Sequence, residues 1–479
     1  MLFGDLIDRA LASGAGPRPA LIDETGTLSF AALDRAANRC AHFLAARGFG
    51  PGSRVALSAD NRLAYGVAVL GAARAGVVLV HLSTRSSPAE TAAALALTGA
   101  ALMTLEELGA AGFSAGPETR PSLDLPPDAP LAVLFSGGTT GTAKGVLVDH
   151  HARLLTAEVS ADGFGLTATD RVLVSTPLFH TAALFCWLAP AWSRGATVIL
   201  SGKWSAESFA TQVETHRATA AFLVPTQISD LLVAPAADRL GSLRLICHAG
   251  APMRPDLAER LAALLPWVDI SEHYGLSETG LLTVRRADDP PDRRASVGRA
   301  PAPIELAVRG PDGAVLPPGT VGEIVTRGPH LLSDLIGEQR KAALFPWGEG
   351  WFATGDRGRL DADGFLTLVG RSKDIIVSGA ENLYPSEIEA VLGRHPALAE
   401  CAVFGVPDDR LGEIPIAQVV LRPGMAASEA ELIELVLSVL PWHKRPRHII
   451  FAAALPRSAV GKVLKSALAA SYLESLAAR

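Results

Sequence analysis

The chain has 479 residues, with 43 lysines and arginines against 49 aspartates and glutamates, a formal charge of −6. A net acidic chain lacks the broad positive field that general binding of a nucleic-acid backbone requires, so that class is set aside. Hydrophobic residues at 49% and charged residues at 19% exclude wholesale disorder, and the length corresponds to about three structural units with cores large enough to need no disulfide or metal staple.

Cys40, Cys186, Cys247 and Cys401 lie far apart and share no metal-ligand spacing, so a reduced, cytoplasmic setting is the expectation. A mean hydropathy of +0.27 calls for a test against a membrane span. The most apolar stretch, residues 67–82, contains Arg74, is flanked by Arg62 and Arg85, and falls short of the ~20 uninterrupted apolar residues a span needs. The opening MLFGDLIDRALASG carries Asp5 and Asp8 and no basic run, unlike a secretory signal. The hydropathy is therefore expected to belong to buried sheets.

In chain order, residues 33–48 place their apolar side chains on a helical stripe, 53–60 read as a strand, 62–76 as a packed helix and 77–82 as another strand. The same alternation returns with short apolar strands at 171–177, 196–200, 218–225, 243–250 and 268–275. Continuous apolar strands separated by helices predict parallel strands covered on both faces, a layered α/β architecture. Near residue 300 the texture changes: 302–328 is broken by Asp-Gly and Pro-Pro-Gly turns and reads as a small β unit, and 359–370 as a hairpin turning at Asp363-Gly364. Beyond residue 374 a compact α+β pattern follows, in which Leu432, Leu435, Val436, Val439 and Leu440 form a helical stripe behind a Ser428/Glu431 capping box. The expected division is an N-terminal region 1–369 with its β-rich part at about 300–369, and a C-terminal α+β domain, the boundary falling near residue 370.

The strongest local feature is LAVLFSGGTTGTAKGVLVDH, residues 131–150. Between two apolar strands stand Ser136, Gly137, Gly138, Thr139, Thr140, Gly141, Thr142, Ala143, Lys144 and Gly145. Glycines let backbone N–H groups approach an anion, and hydroxyls and a lysine add donors and positive charge. This describes a phosphate cradle. It is not a Walker A loop, because Lys144 neither follows Gly141 directly nor precedes a Ser or Thr.

The cradle resembles the signature of the adenylate-forming superfamily: acyl- and aryl-CoA synthetases, peptide-synthetase adenylation domains and beetle luciferases. Gly137 stands where that signature has a second Ser, and Ala143 where it has Pro. Four further segments resemble the family's other signatures in the same order: HYGLSETG (273–280), FATGD (352–356), GRSKDIIVSGAENLYPSEIE (370–389) and LPRSAVGKVLKSAL (455–468). HAGAPM (248–253) resembles the segment whose backbone, at Gly250 and Ala251, lies against adenine and the acyl pocket. The resemblance implies that Tyr274 packs on adenine, that Ser277 lines the nucleotide site, and that Glu278 and Thr139 hold Mg²⁺, an ion that takes oxygen ligands. It implies that Asp356 binds the ribose hydroxyls, Arg371 ribose or phosphate, and that Lys144 and Lys462 are catalytic cations. It further implies a hinge at 370–374 centred on Lys373, a mobile lid domain over 375–479, and a thiol tunnel by Ser378, Gly379 and Ala380.

The implied reaction is ATP-dependent activation of a carboxylic acid followed by transfer to CoA, with a carrier-protein phosphopantetheine or an amine as the alternative acceptor and a catalytically decayed ATP-binding protein as a further one. Phe179, His180, Thr226, Gly250, Gly275 and Leu276 fall in segments that line the family's acyl pocket. None is Lys or Arg, which points away from a second substrate carboxylate and toward an aryl or medium acyl acid. Two departures bear on the thiol step: Ala380 replaces the second Gly of the usual SGGEN, and HLLSDLIGEQ (330–339) lacks the usual Gly-Tyr.

Overall fold

The computed structural model describes residues 1–479 other than 115, 137–143, 235, 252, 254, 338–343, 379–380, 458–462 and 478–479; of 111, 136, 255, 382 and 477 it describes the backbone alone. Among the described residues the strands form four sheets, of eight, six, four and five strands.

The eight-stranded sheet runs in the order Gly280–Arg285, Asp269–Leu276, Leu245–His248, Ala220–Leu223, Arg171–Val174, Thr197–Leu200, Pro19–Asp23, Gly26–Ser29. Its inner pairs are parallel and each end closes with an antiparallel strand. Side chains alternate across it: Ala220 and Phe222 enter one apolar core, Ala221 and Leu223 the other. Burial on both faces is why these strands read as continuous apolar runs rather than as alternating ones.

The six-stranded sheet is ordered Asp334–Ile336, Lys144–Asp149, Pro130–Ser136, Val78–Leu82, Arg54–Ser58, Ala101–Met103. The expected strand after the phosphate loop is present and pairs antiparallel with the one before it. The strand Ala101–Met103 is an addition to the sequence reading, and two further additions sit at sheet edges. The hairpin of Pro19–Asp23 and Gly26–Ser29 joins the larger sheet, and Asp334–Ile336 adds an edge to the smaller one.

The apolar stretch tested as a membrane span is divided between the helix Leu63–Arg74 and the strand Val78–Leu82. That helix is apolar all round because it is buried all round. Its one charge, Arg74, is buried and paired: Nη2 sits 2.8 Å from Asp34 in an ion pair, Nε donates to the Gly4 carbonyl and Nη1 to Asn38. A buried charge is tolerated only when paired in this way. Among the described residues no helix is long and apolar enough to cross a membrane.

Downstream, Glu305–Arg309, Gly322–Arg327, Phe352–Leu360 and Leu366–Arg371 make the small antiparallel sheet, and the last two form the expected hairpin across Asp363-Gly364. Beyond it, Leu398–Asp408 and Gly412–Leu421 anchor a five-stranded sheet with cores of its own. The helices Pro385–Leu392 and Glu429–Val439 pack one face and Lys465–Ala477 the other. The capping box forms as expected, with Ser428 Oγ accepting from Glu431 N at 3.2 Å. Val439 departs from the expected stripe. It is 47% exposed, because the helix ends there and Leu440 is already extended, whereas Leu432 and Val436 are fully buried.

Leu432→Ala is expected to cost about 2–5 kcal/mol through the cavity it leaves, and Val439→Ser less than about 0.5 kcal/mol. Amide hydrogen exchange of the strands Leu398–Asp408 and Gly412–Leu421 measures both; equal effects would contradict the assignment.

Candidate active site

In open parallel sheets, ligands bind outside the carboxyl ends of the strands. From that edge of the larger sheet emerge the segments 175–180, 224–227 and 249–251 and the hairpin after Tyr274. Asn61, just beyond the strand Arg54–Ser58 of the smaller sheet, ties the first of them down: it donates to the Thr176 carbonyl at 2.9 Å and accepts from Leu178 N at 2.9 Å. Gln227 fixes the second, accepting from Val224 N and donating to the Ser175 carbonyl.

The centre of the site is Asp356. It lies on Phe352–Leu360, opposite Arg371 in the register of the antiparallel pair. Its carboxylate accepts from the Tyr274 hydroxyl at 2.8 Å and lies 3.2 Å from the Arg371 guanidinium. Burial, and then the Asp356 charge, push the Tyr274 hydroxyl well above its ordinary pKa, so it remains a donor. A carboxylate offers about four lone-pair positions. Tyr274 and Arg371 use one on each oxygen, leaving room for two further donors such as vicinal hydroxyls.

Lys373 stands two residues beyond Arg371. Desolvation first, and then the nearby cations Arg371 and Lys144, hold its ammonium below the ordinary lysine value. Lys144 itself is partly buried, and its cross-strand partner is Ser136. Arg371 thus pairs with Asp356, and Lys373 lies within the electrostatic reach of Arg371, Asp356 and Lys144, in a chain of net charge −6.

Glu278 lies in the tight turn between Asp269–Leu276 and Gly280–Arg285. The strands close so tightly that a Cβ on Gly275 would come within 1.8 Å of the Gly280 carbonyl oxygen. Leu276 N donates to Thr279 Oγ1, the Ser277 carbonyl accepts from buried Arg153 at 3.0 Å, and the Glu278 carbonyl accepts from Leu332 N at 2.7 Å. Among the described residues no group of three or more His, Cys, Asp or Glu side chains is arranged as a metal-ion cage. A Mg²⁺ that arrives on a triphosphate asks for less, one or two carboxylates completed by phosphate and water. A partly buried Glu278 on a fixed turn suits that donor set.

Phe179 is buried and its ring centroid lies 4.5 Å from that of the partly buried His180. Gly275 and Leu276 are partly buried, Gly250 adopts φ +87°, and Gly250, Ala251 and Thr226 are exposed. Ser378 ends the strand Ile376–Ser378, opposite Glu381. Gly137, Gly138, Thr139, Thr140, Gly141, Gly379, Ala380 and Lys462 lie outside the described residues, as does the side chain of Ser136. Asn61, Gln227 and Arg153 escaped sequence reasoning. Each acts on a carbonyl far away in the chain or on its own turn, and no local pattern announces that.

Behind the site, burial lowers the pKa of His273 to about 4 and of His248 to about 3. Desolvation raises Glu272, 3.2 Å from Arg285, to about 7. Elsewhere in the core, burial lowers His81 to about 3.

Comparison with known proteins bears on the whole chain. The profile of the AMP-binding enzyme family matches residues 9–112 and 103–334, and that of the AMP-binding enzyme C-terminal domain matches 387–462. A feruloyl-CoA synthase from Amycolatopsis sp. is 34% identical over 478 residues, covering 94% of this chain and 95% of its own. The fatty acid–[acyl-carrier-protein] ligase ScoC of Streptomyces coeruleorubidus is 32% identical, with 94% and 92% covered. Among solved structures, the o-succinylbenzoate CoA synthetase of Bacillus subtilis, in complex with its acyl-adenylate intermediate, superposes with a TM-score of 0.87 at 30% identity over 98% of each chain.

The three histidines set a pH dependence. Each has a folded-state pKa below the ordinary 6.5, so between those values the folded protein binds fewer protons than the unfolded chain. Their contribution is complete above pH 6.5 and is lost as pH falls through about 4 toward 3, and His150 and His330, lowered by burial to about 4 and about 3, add in the same sense; Glu272 works in the opposite sense but is one group against five. The urea midpoint is expected to fall over that window, and His273→Phe to flatten the slope; a midpoint that rises on acidification would contradict this. With its profile matches and its full-length relatives, the chain belongs to the AMP-binding enzyme family.

Proposed function

We propose that the chain is an AMP-forming acid–thiol ligase that converts a carboxylic acid to its acyl-adenylate and then to its CoA thioester. The observation that carries this reading is the junction at Asp356, where a tyrosine hydroxyl, a carboxylate and a guanidinium from three strands converge with acceptor capacity left over.

In the first step an oxygen of the substrate carboxylate attacks the α-phosphorus of ATP. The bond from that phosphorus to the bridging oxygen breaks, and pyrophosphate leaves. A carboxylate is already ionised at neutral pH, so no general base is required. The work left to the protein is positioning and charge neutralisation. In this reading Asp356 accepts the ribose hydroxyls, Tyr274 packs on adenine, and Ser277, Gly250 and Ala251 border the nucleotide. Arg371 and Lys144, with the loop 136–145, hold the phosphates, and Lys462 reaches the α-phosphate and the substrate carboxylate. Glu278 and Thr139 would hold Mg²⁺, which when bound neutralises phosphate charge.

In the second step the thiolate of CoA attacks the acyl carbon. The C–S bond forms, the C–O bond to AMP breaks, and AMP leaves. A rotation of 375–479 about Lys373 would withdraw Lys462 and bring Ser378, Gly379 and Ala380 to the thiol. The aromatic wall of Phe179 and His180 and the absence of a cationic residue among the proposed pocket positions favour an aryl or medium acyl acid. A second reading, with a carrier-protein thiol as acceptor, is favoured by the likeness to ScoC and by Ala380 where the family has glycine.

A panel of acids in the pyrophosphate–ATP exchange assay, repeated for AMP release with and without CoA, tests the reading. Acid-dependent exchange and CoA-dependent AMP release are expected. ADP and phosphate as products would contradict adenylation, and AMP release that responds to a carrier protein and not to CoA would favour the second reading. Lys462→Ala is expected to lower exchange by about 10²-fold or more, in line with loss of a group that stabilises transition-state charge, while sparing thioester formation from preformed acyl-AMP. Equal loss of both half-reactions would contradict the role given to Lys462.

A further inference from the structure

We infer that Arg153 is a positioning residue for the metal–nucleotide complex, acting through the turn that presents Glu278; this rests on the proposed role of Glu278 as a magnesium-binding carboxylate.

Arg153 lies on the helix His150–Gly163, which follows directly from the strand leaving the phosphate loop and is capped by Asp149. It is fully buried. Burial lowers its pKa to about 10, so the guanidinium stays charged at neutral pH, and the carboxylates of Asp149 and Glu278 are the charged groups whose field favours that state. Its carbon lies 5.6 Å from the centre of the Phe185 ring. Nη1 reaches Thr156 Oγ1 on the same helix at 3.4 Å, Nη2 donates to the Ser277 carbonyl at 3.0 Å, and Nε has no hydrogen-bond partner among the described residues. Among the described residues, its one hydrogen bond that leaves its own helix therefore goes to the residue before Glu278.

That bond completes a series. Three successive carbonyls of the turn are each engaged: Leu276 by Thr279 N at 3.2 Å, Ser277 by Arg153, and Glu278 by Leu332 N at 2.7 Å. The donors come from the turn itself, from the helix after the phosphate loop and from the segment after His330. Gly280, at φ +67°, makes the space, since a Cβ there would lie 2.4 Å from Arg153 Nη1. Burying a guanidinium for stability alone is a poor solution, because an apolar side chain of similar volume commonly packs as well or better. What the guanidinium supplies is a directional donor that fixes the peptide next to Glu278 relative to the phosphate loop.

The test uses Arg153→Met, which keeps the volume, Arg153→Lys, which keeps the charge and lacks the planar fork, and Glu278→Gln. Mn²⁺ affinity of the enzyme–ATP complex is read by electron paramagnetic resonance, beside metal-free ATP affinity, KM and kcat in the exchange assay, and thermal unfolding. Arg153→Met is expected to weaken Mn²⁺ binding about tenfold and to raise KM for the metal–ATP complex, with metal-free ATP affinity and unfolding temperature unchanged. Arg153→Lys is expected to recover part of the loss, and it carries the test alone should Arg153→Met not fold. Weaker Mn²⁺ binding in Glu278→Gln with both Arg153 variants at wild-type affinity would overturn the inference and leave Glu278 as the ligand. Unchanged Mn²⁺ affinity in Glu278→Gln would overturn the reading of Glu278, and this inference with it.

Discussion

A buried carboxylate has to be paired, and the pairing of Asp356 with Tyr274 and Arg371 is the constraint around which the site is arranged. Tyr274 lies near the end of the strand Asp269–Leu276 of the large mixed sheet, whereas Asp356 and Arg371 face each other in the small antiparallel sheet. The contact therefore welds two sheets that the chain builds separately. It also sets a polar seat of defined capacity at the edge where the parallel strands end. Arg371 is paired with Asp356, and Lys373 feels the charges of Arg371, Asp356 and Lys144, the cations that the proposed function assigns to a polyanion.

The rest of the site follows one pattern: a buried polar side chain from one element holds a main-chain segment of another. Asn61 spans the two large sheets to hold 176–178, Gln227 holds 175, and Arg153 holds 277. In a mainly apolar interior, each of these groups carries a desolvation cost that packing alone does not repay. They stand where backbone position has to be specified more finely than hydrophobic contact specifies it, since apolar packing tolerates small shifts that a directional bond does not.

This pattern also explains what could be read in advance. Strand and helix identities in the large sheets were legible because burial on both faces writes long apolar runs into the sequence, and the 131–150 loop was legible because a phosphate cradle needs many small and hydroxylated residues in a row. Tyr274, Asp356 and Arg371 could be named from motif resemblance, but nothing local to any of them says that they meet. Asn61, Gln227 and Arg153 read as ordinary loop and helix residues, and their partners lie up to 140 residues away. The hairpin of Pro19–Asp23 and Gly26–Ser29 and the edge strand Asp334–Ile336 were missed for the same reason: short segments become strands because a partner edge is waiting for them. Val439 shows the converse, an apolar residue in phase with a buried stripe but left at the surface because the helix stops.

The most direct test is a crystal structure of the chain with a non-hydrolysable acyl-adenylate analogue, an acyl sulfamoyl adenosine. The account predicts both ribose hydroxyls within hydrogen-bond distance of the Asp356 carboxylate, adenine against Tyr274, and the acyl group directed toward Phe179 and His180. A nucleoside bound elsewhere, with the Tyr274–Asp356–Arg371 junction closed and untouched, would contradict it.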